Sequence, residues 1–156
     1  MDDQRRARLA LICLFVAIVL IVIIQFVYVS SQSPLERLQR VFDYSLDGIE
    51  VSVEDSYIDT AFMDGWRVYV VSVNGNREGT LFDEQQMTDG IPEHQQQVIN
   101  QRNEEIINRG KVPLFTIIPD HDYKTLRLLA IEAKSELYVI KDMETDLFYV
   151  IKQKFR

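Results

Sequence analysis

The stretch that decides the architecture is LALICLFVAIVLIVIIQFVYV, residues 9–29. It holds no charged residue, and sixteen of its twenty-one positions are Leu, Ile, Val or Phe; the exceptions are Ala10, Cys13, Ala17, Gln25 and Tyr28. A helix rising about 1.5 Å per residue reaches about 31 Å over that length, the thickness of a bilayer's hydrocarbon core. Each of the sixteen favours insertion by about 0.3–0.6 kcal/mol near the bilayer centre, which outweighs the cost of Gln25. A helix in the core of a soluble protein needs a polar face unless protein surrounds it, and a domain this small does not enclose one. A cleavable signal peptide is the rival, because Arg5, Arg6 and Arg8 make a basic lead-in and Val29 with Ser31 suit a cleavage site. The apolar run exceeds the roughly 7–15 residues of such a segment, which favours an uncleaved anchor. A lipoprotein signal is discarded, since Ile12 rather than a small residue precedes Cys13.

The flanks set the orientation. Arg5, Arg6 and Arg8 stand just before the run and the next basic residue after it is Arg37. Lys and Arg resist translocation, so the N-terminus is expected to stay cytoplasmic. The sequence thus predicts a tail 1–8, a transmembrane helix 9–29, a linker 30–32 and an extracytoplasmic domain 33–156, single-pass in the plasma (cell) membrane. Setting aside Arg5, Arg6, Arg8, Asp2 and Asp3, the exported part has fourteen Lys and Arg against twenty-two Asp and Glu, a formal charge of −8. Phosphate backbones repel such a surface, and nucleic acid is excluded as a partner. The only cysteine, Cys13, lies inside the apolar run, so the exported domain has no disulfide and is held together by its core.

Ser33-Pro34-Leu35-Glu36 has the form of a capping box with Pro at the first helical position, and Leu35, Leu38, Val41, Phe42 and Leu46 follow at helical spacing until Asp47-Gly48. Residues 49–58 alternate Ile49, Val51, Val53 against Glu50, Ser52, Glu54, as a half-buried strand does. After a turn at Asp64-Gly65, residues 66–73 (WRVYVVSV) are apolar on both faces, the mark of a central strand. Asn74-Gly75-Asn76 reads as a hairpin loop and Thr80-Leu81-Phe82 as a third strand. A second helix is expected from Pro92 to Arg109, stopped by Gly110, with Gln95, Gln96, Gln97, Asn100, Gln101, Asn103 and Asn108 as a solvated amide face. Val112–Ile118 reads as a strand, Thr125–Ala133 leans to strand, and residues 137–140 with 147–151 read as a hairpin. The predicted fold class is α+β: an N-terminal transmembrane helix, then one antiparallel-sheet domain with two helices packed on one face. The outline resembles that of cystatin-like and nuclear-transport-factor-like domains, a likeness of fold that implies no activity.

Motifs for chemistry are sparse. There is no Gly-x-Ser-x-Gly, no exported cysteine, and the segment Asn74 to Gly79 lacks the strand-to-helix setting of a phosphate loop. Asp120, His121 and Asp122 are the one candidate metal-binding set, yet adjacent residues do not easily turn three side chains onto one ion, and a plain turn is the competing reading. Under that reading, replacing His121 or Asp122 by alanine leaves both stability and cellular function nearly intact. Asp142, Glu144 and Asp146 mimic the opening of a calcium loop, but Leu147 stands in place of its glycine and Gln153 in place of its bidentate glutamate. No catalytic residue, cofactor or enzymatic activity is assigned. The expectation is a membrane-anchored, non-catalytic domain, an accessory, assembly or sensing subunit of an envelope complex for secretion, conjugation or cell-wall maintenance, with a protein partner in the envelope. A membrane-anchored hydrolase of unrecognised type is the alternative.

Overall fold

The computed structural model describes residues 2–31, 33–59 and 65–154, and within the first helix the side-chain surroundings of residues 11, 13–25 and 27. The chain forms two compact units, Met1–Arg40 and Val41–Arg156. The first holds helix α1 (Asp2–Ser31) and most of helix α2 (Pro34–Phe42). Among the described residues no helix is long and apolar enough to cross a membrane. The transmembrane span is therefore not established by the fold. The capping box forms as its chemistry requires: the Ser33 amide donates to Glu36 Oε2 at 2.9 Å, and the Glu36 amide donates to Ser33 Oγ at 3.2 Å. The helix ends at Phe42, earlier than the Asp47-Gly48 stop, because Asp43 takes a left-handed φ of 48°.

The second unit is built on one six-stranded antiparallel sheet ordered β1-β2-β6-β5-β4-β3. Its strands are β1 (Ile49–Ile58), β2 (Arg67–Gly75), β3 (Thr88–Asp89), β4 (Tyr123–Ala130), β5 (Ser135–Asp142) and β6 (Phe148–Lys154), with helix α3 (Glu93–Asn108) between β3 and β4. The α+β class and the antiparallel sheet are as the hydrophobic pattern predicts. Gly75 takes φ 106° where β2 closes against β1, and a Cβ there would sit 2.6 Å from the Gly48 carbonyl oxygen. Of the Asp64-Gly65 turn, Asp64 lies outside the described residues and Gly65 has φ 64°.

Pairing fixes the two faces. Val68, Ile151 and Tyr138 lie opposite one another across β2, β6 and β5, on the face that α3 covers with Ile99. Trp66, Ile91, Phe115, Tyr123 and Ile140 complete this core. Val71, Phe148 and Lys141 align on the opposite face. A register shift between Val53 and Asp55 bulges β1 at Glu54, so Val51 and Val53 pair with the Val71 side while Tyr57 pairs with Val68 and packs with the α3 core.

Several expectations need correction. Two helices are expected on one face; α3 packs there, whereas α2 falls largely in the other unit. Thr80-Leu81-Phe82 is not a strand, because the chain after β2 crosses the sheet to reach its far edge. On the way it plugs the Val71 face with buried Leu81 and Phe82, the latter edge-on to Phe148 at 4.9 Å between ring centroids. The third strand is instead the two-residue β3 beside β4. Val112–Ile118 is also irregular. Phe115 fills the core, and its carbonyl accepts from Asn103 Nδ2 at 2.9 Å, so side-chain packing and an amide replace a ladder.

Helix α3 starts one residue after Pro92 and ends in a Schellman turn: Gly110, with φ 71°, donates to the Ile107 carbonyl at 2.8 Å, and Lys111 donates to that of Ile106 at 3.1 Å. Its amide face is not uniformly solvated. Gln95 is fully buried, and Gln96 Nε2 donates to the Ile91 carbonyl at 2.7 Å.

Candidate functional site

The site grows from the end of β5. Asp142 closes that strand and is 2% exposed, and His121 reaches it from the loop before β4, with Nδ1 2.9 Å from Asp142 Oδ2. A carboxylate only accepts, so Nδ1 carries the proton of this hydrogen bond. The loop is pinned from several sides. The His121 amide donates to the Ile118 carbonyl at 3.1 Å, the Met143 amide to the Asp122 carbonyl at 3.0 Å, and the Ile118 amide to the Tyr123 hydroxyl at 3.0 Å. Asp142 also accepts from the Glu144 amide at 2.9 Å. Burial raises the Asp142 pKa, but hydrogen bonds from His121, Glu144 and Thr145 outweigh it and hold the carboxyl below its usual range.

This pair borders a cleft of about 670 Å³ whose walls include Asp89, Ile91, Ile117, Ile118, His121, Asp122, Tyr123, Lys124 and Met143. Ile118 and Met143 are 44% and 40% exposed, so part of the apolar wall faces water. Among the described residues no serine, threonine or cysteine lines the cleft, so none of them sets a side-chain nucleophile beside the oriented imidazole. His121 is thus not the plain turn residue that its neighbours suggested.

Of the other two members of the Asp-His-Asp triplet, Asp122 lines the same cleft and Asp120 does not. Among the described residues, no group of three His, Cys, Asp or Glu side chains is arranged to hold a metal. The acids of the calcium mimic also separate. Asp142 serves His121, whereas Asp146 pairs with Lys141 at 2.8 Å and Arg77 at 3.4 Å. Glu84 accepts from the same two cations, and both lie over the Phe148 ring. This cluster clamps the loop after β2 to the β5–β6 turn. The Lys141 hydrogen bond is the leading cause that lowers the Glu84 and Asp146 pKa values.

A second buried polar chain crosses the α3 face. His94 Nε2 lies 2.9 Å from the Tyr138 hydroxyl, which in turn lies 3.3 Å from Glu136 Oε2. Arg127 donates to that oxygen from Nε at 3.0 Å and Nη2 at 2.7 Å, and Gln153 donates to Oε1. Burial, reinforced by the Glu136 charge, pushes the Tyr138 pKa up to about 12. Trp66 Nε1, the Gln95 amide and Thr125 Oγ1 have no hydrogen-bond partner among the described residues.

Sequence reasoning singled out His121 but missed Asp142 as its partner. The signal was faint: an acid at a strand end, twenty-one residues downstream. No family model, curated protein or solved structure matches the chain, so the resemblance to cystatin-like and nuclear-transport-factor-like domains expected from the sequence carries no argument.

Proposed function

We propose that the chain is a single-pass cell-membrane protein with a cytoplasmic N-terminus. Its extracytoplasmic domain works by contact, as an accessory, assembly or sensing subunit of an envelope complex for secretion, conjugation or cell-wall maintenance. The observation that carries this reading is the surface of α1. From Leu11 to Val27 its described apolar side chains are exposed on every side, Phe15 by 69% and Ile24 by 64%. Water does not tolerate an apolar surface of that extent, and a lipid environment covers it. The sequence closes the gaps among the described positions with Ile12, Phe26, Tyr28 and Val29, which completes an uncharged run of bilayer length.

The test is a single cysteine at Glu144, exposed in the β5–β6 turn, in a Cys13→Ala background. It is expected to react with a membrane-impermeant maleimide in intact cells, and the protein to stay in the pellet after alkaline carbonate extraction. Protection of that site until lysis would reverse the orientation, and release of a shortened chain lacking residues 1–31 would restore the signal-peptide reading.

A second reading has one observation in its favour. Asp142 and His121 form an oriented acid–imidazole pair beside a cleft, the arrangement that activates a water in hydrolysis. Loss of cellular function in His121→Ala with the fold intact would favour that anchored hydrolase over a contact domain.

A further inference from the structure

The cleft beside His121 combines two features that neither the core nor the loop geometry requires. One is an apolar wall left partly in water, Ile118 and Met143 above buried Tyr123 and Ile91. The other is a surplus of negative charge. Asp89 and Asp122 line the cleft on the surface, and among the described residues neither carboxylate takes part in an ion pair or a side-chain hydrogen bond. Asp142 adds a third carboxylate behind the imidazole, against the single ammonium of Lys124. The exported part of the chain, at −8, adds a field of the same sign.

We propose that this cleft seats a Lys or Arg side chain of a partner protein segment. The aliphatic stem lies on Ile118, Tyr123 and Met143, and the cationic head reaches Asp89 and Asp122. Long basic side chains join an apolar stem to a charged head, and both halves of the cleft match them. His121 lines the same cleft, its ring held through Nδ1 by Asp142. An anionic ligand would meet the Asp89 and Asp122 carboxylates, and a purely apolar one would leave them beside an unfilled polar wall. This inference rests on the contact reading and narrows it to a basic, apolar-flanked motif.

The probe is an acetylated, amidated pentapeptide with lysine between two leucines, added to the full-length chain in zwitterionic nanodiscs. Binding is read from the backbone amide signals of Ile118, Tyr123 and Met143. Those signals are expected to shift and saturate. Replacing the lysine by norleucine should weaken binding about tenfold, as should the double change Asp89→Asn with Asp122→Asn, the scale of a lost charge-assisted contact. A glutamate version should not bind. Both substitutions replace exposed carboxylates by isosteric amides, and an unchanged spectrum elsewhere verifies the fold. The inference is overturned if the lysine peptide leaves the cleft signals unmoved, if norleucine or glutamate binds as well as lysine, or if the double variant binds like the parent. Each of those results leaves the contact reading standing when crosslinks in intact cells map to another surface of the domain.

Discussion

Replacing His121 by alanine removes the Nδ1–H that donates to Asp142 Oδ2, while Oδ1 keeps the Glu144 amide at 2.9 Å. A hydrogen bond to a charged group contributes about 1.5–3 kcal/mol, and leaving a buried carboxylate oxygen without its donor costs on that scale. Two effects temper the loss. The cleft admits water to the vacated position, and the ring packs only at 6.2 Å between centroids on Tyr123. The expected cost is therefore about 1–2 kcal/mol, or about 4–8 °C in Tm for a domain of this size. His121→Asn places a side-chain N–H close to where Nδ1 stood and should recover about half of that loss.

The pH dependence has a definite sign. The Asp142 pKa is lowered in the folded chain. Its stabilisation is then fully present above the unfolded carboxyl value of about 3.9, and is lost as the pH falls through the lower folded value. The gap between parent and His121→Ala should be open at pH 6–7 and close in strong acid. Urea titrations across that range, followed by tryptophan fluorescence, read both quantities. A His121→Ala chain as stable as the parent at neutral pH, or a His121→Asn chain no better than His121→Ala, would refute this account.

Trp66 is 1% exposed in the α3 core, so Trp66→Ala, which removes the chain's one tryptophan, should cost about 3–5 kcal/mol in urea titrations followed by circular dichroism. Trp66→Phe should cost under about 1.5 kcal/mol, since the indole Nε1 it removes has no partner among the described residues. Lys141→Met should destabilise the domain by about 1–2 kcal/mol at neutral pH, because it strips Glu84 and Asp146 of a buried cation. Those two carboxyls are held at lowered pKa, so their contribution is present above about pH 4 and disappears as the pH falls through their folded values. The Lys141→Met gap should narrow in acid accordingly. A chain starting at Ser33 is expected to unfold in one cooperative thermal transition that a chelator leaves unmoved, as circular dichroism would show.

Local patterns in the sequence determined whatever depends on neighbours in the chain. The Ser33–Glu36 capping box, the stop at Gly110, the alternation of β1 and the two-sided apolar run of β2 were legible because each is fixed within a few residues. The uncharged run from Leu9 to Val29 likewise lies within one continuous helix, α1. Only the tertiary structure decided where apolar segments without a partner strand would go. Leu81 and Phe82 look like a strand until the chain must cross the sheet, and Phe115 sits in an apolar run that packs as a plug. The same holds for the polar sites. Asp142 with His121, Glu136 with Arg127 and Lys141 with Asp146 are joined across strands and turns, and their energy comes from burial and orientation, which no spacing along the chain encodes.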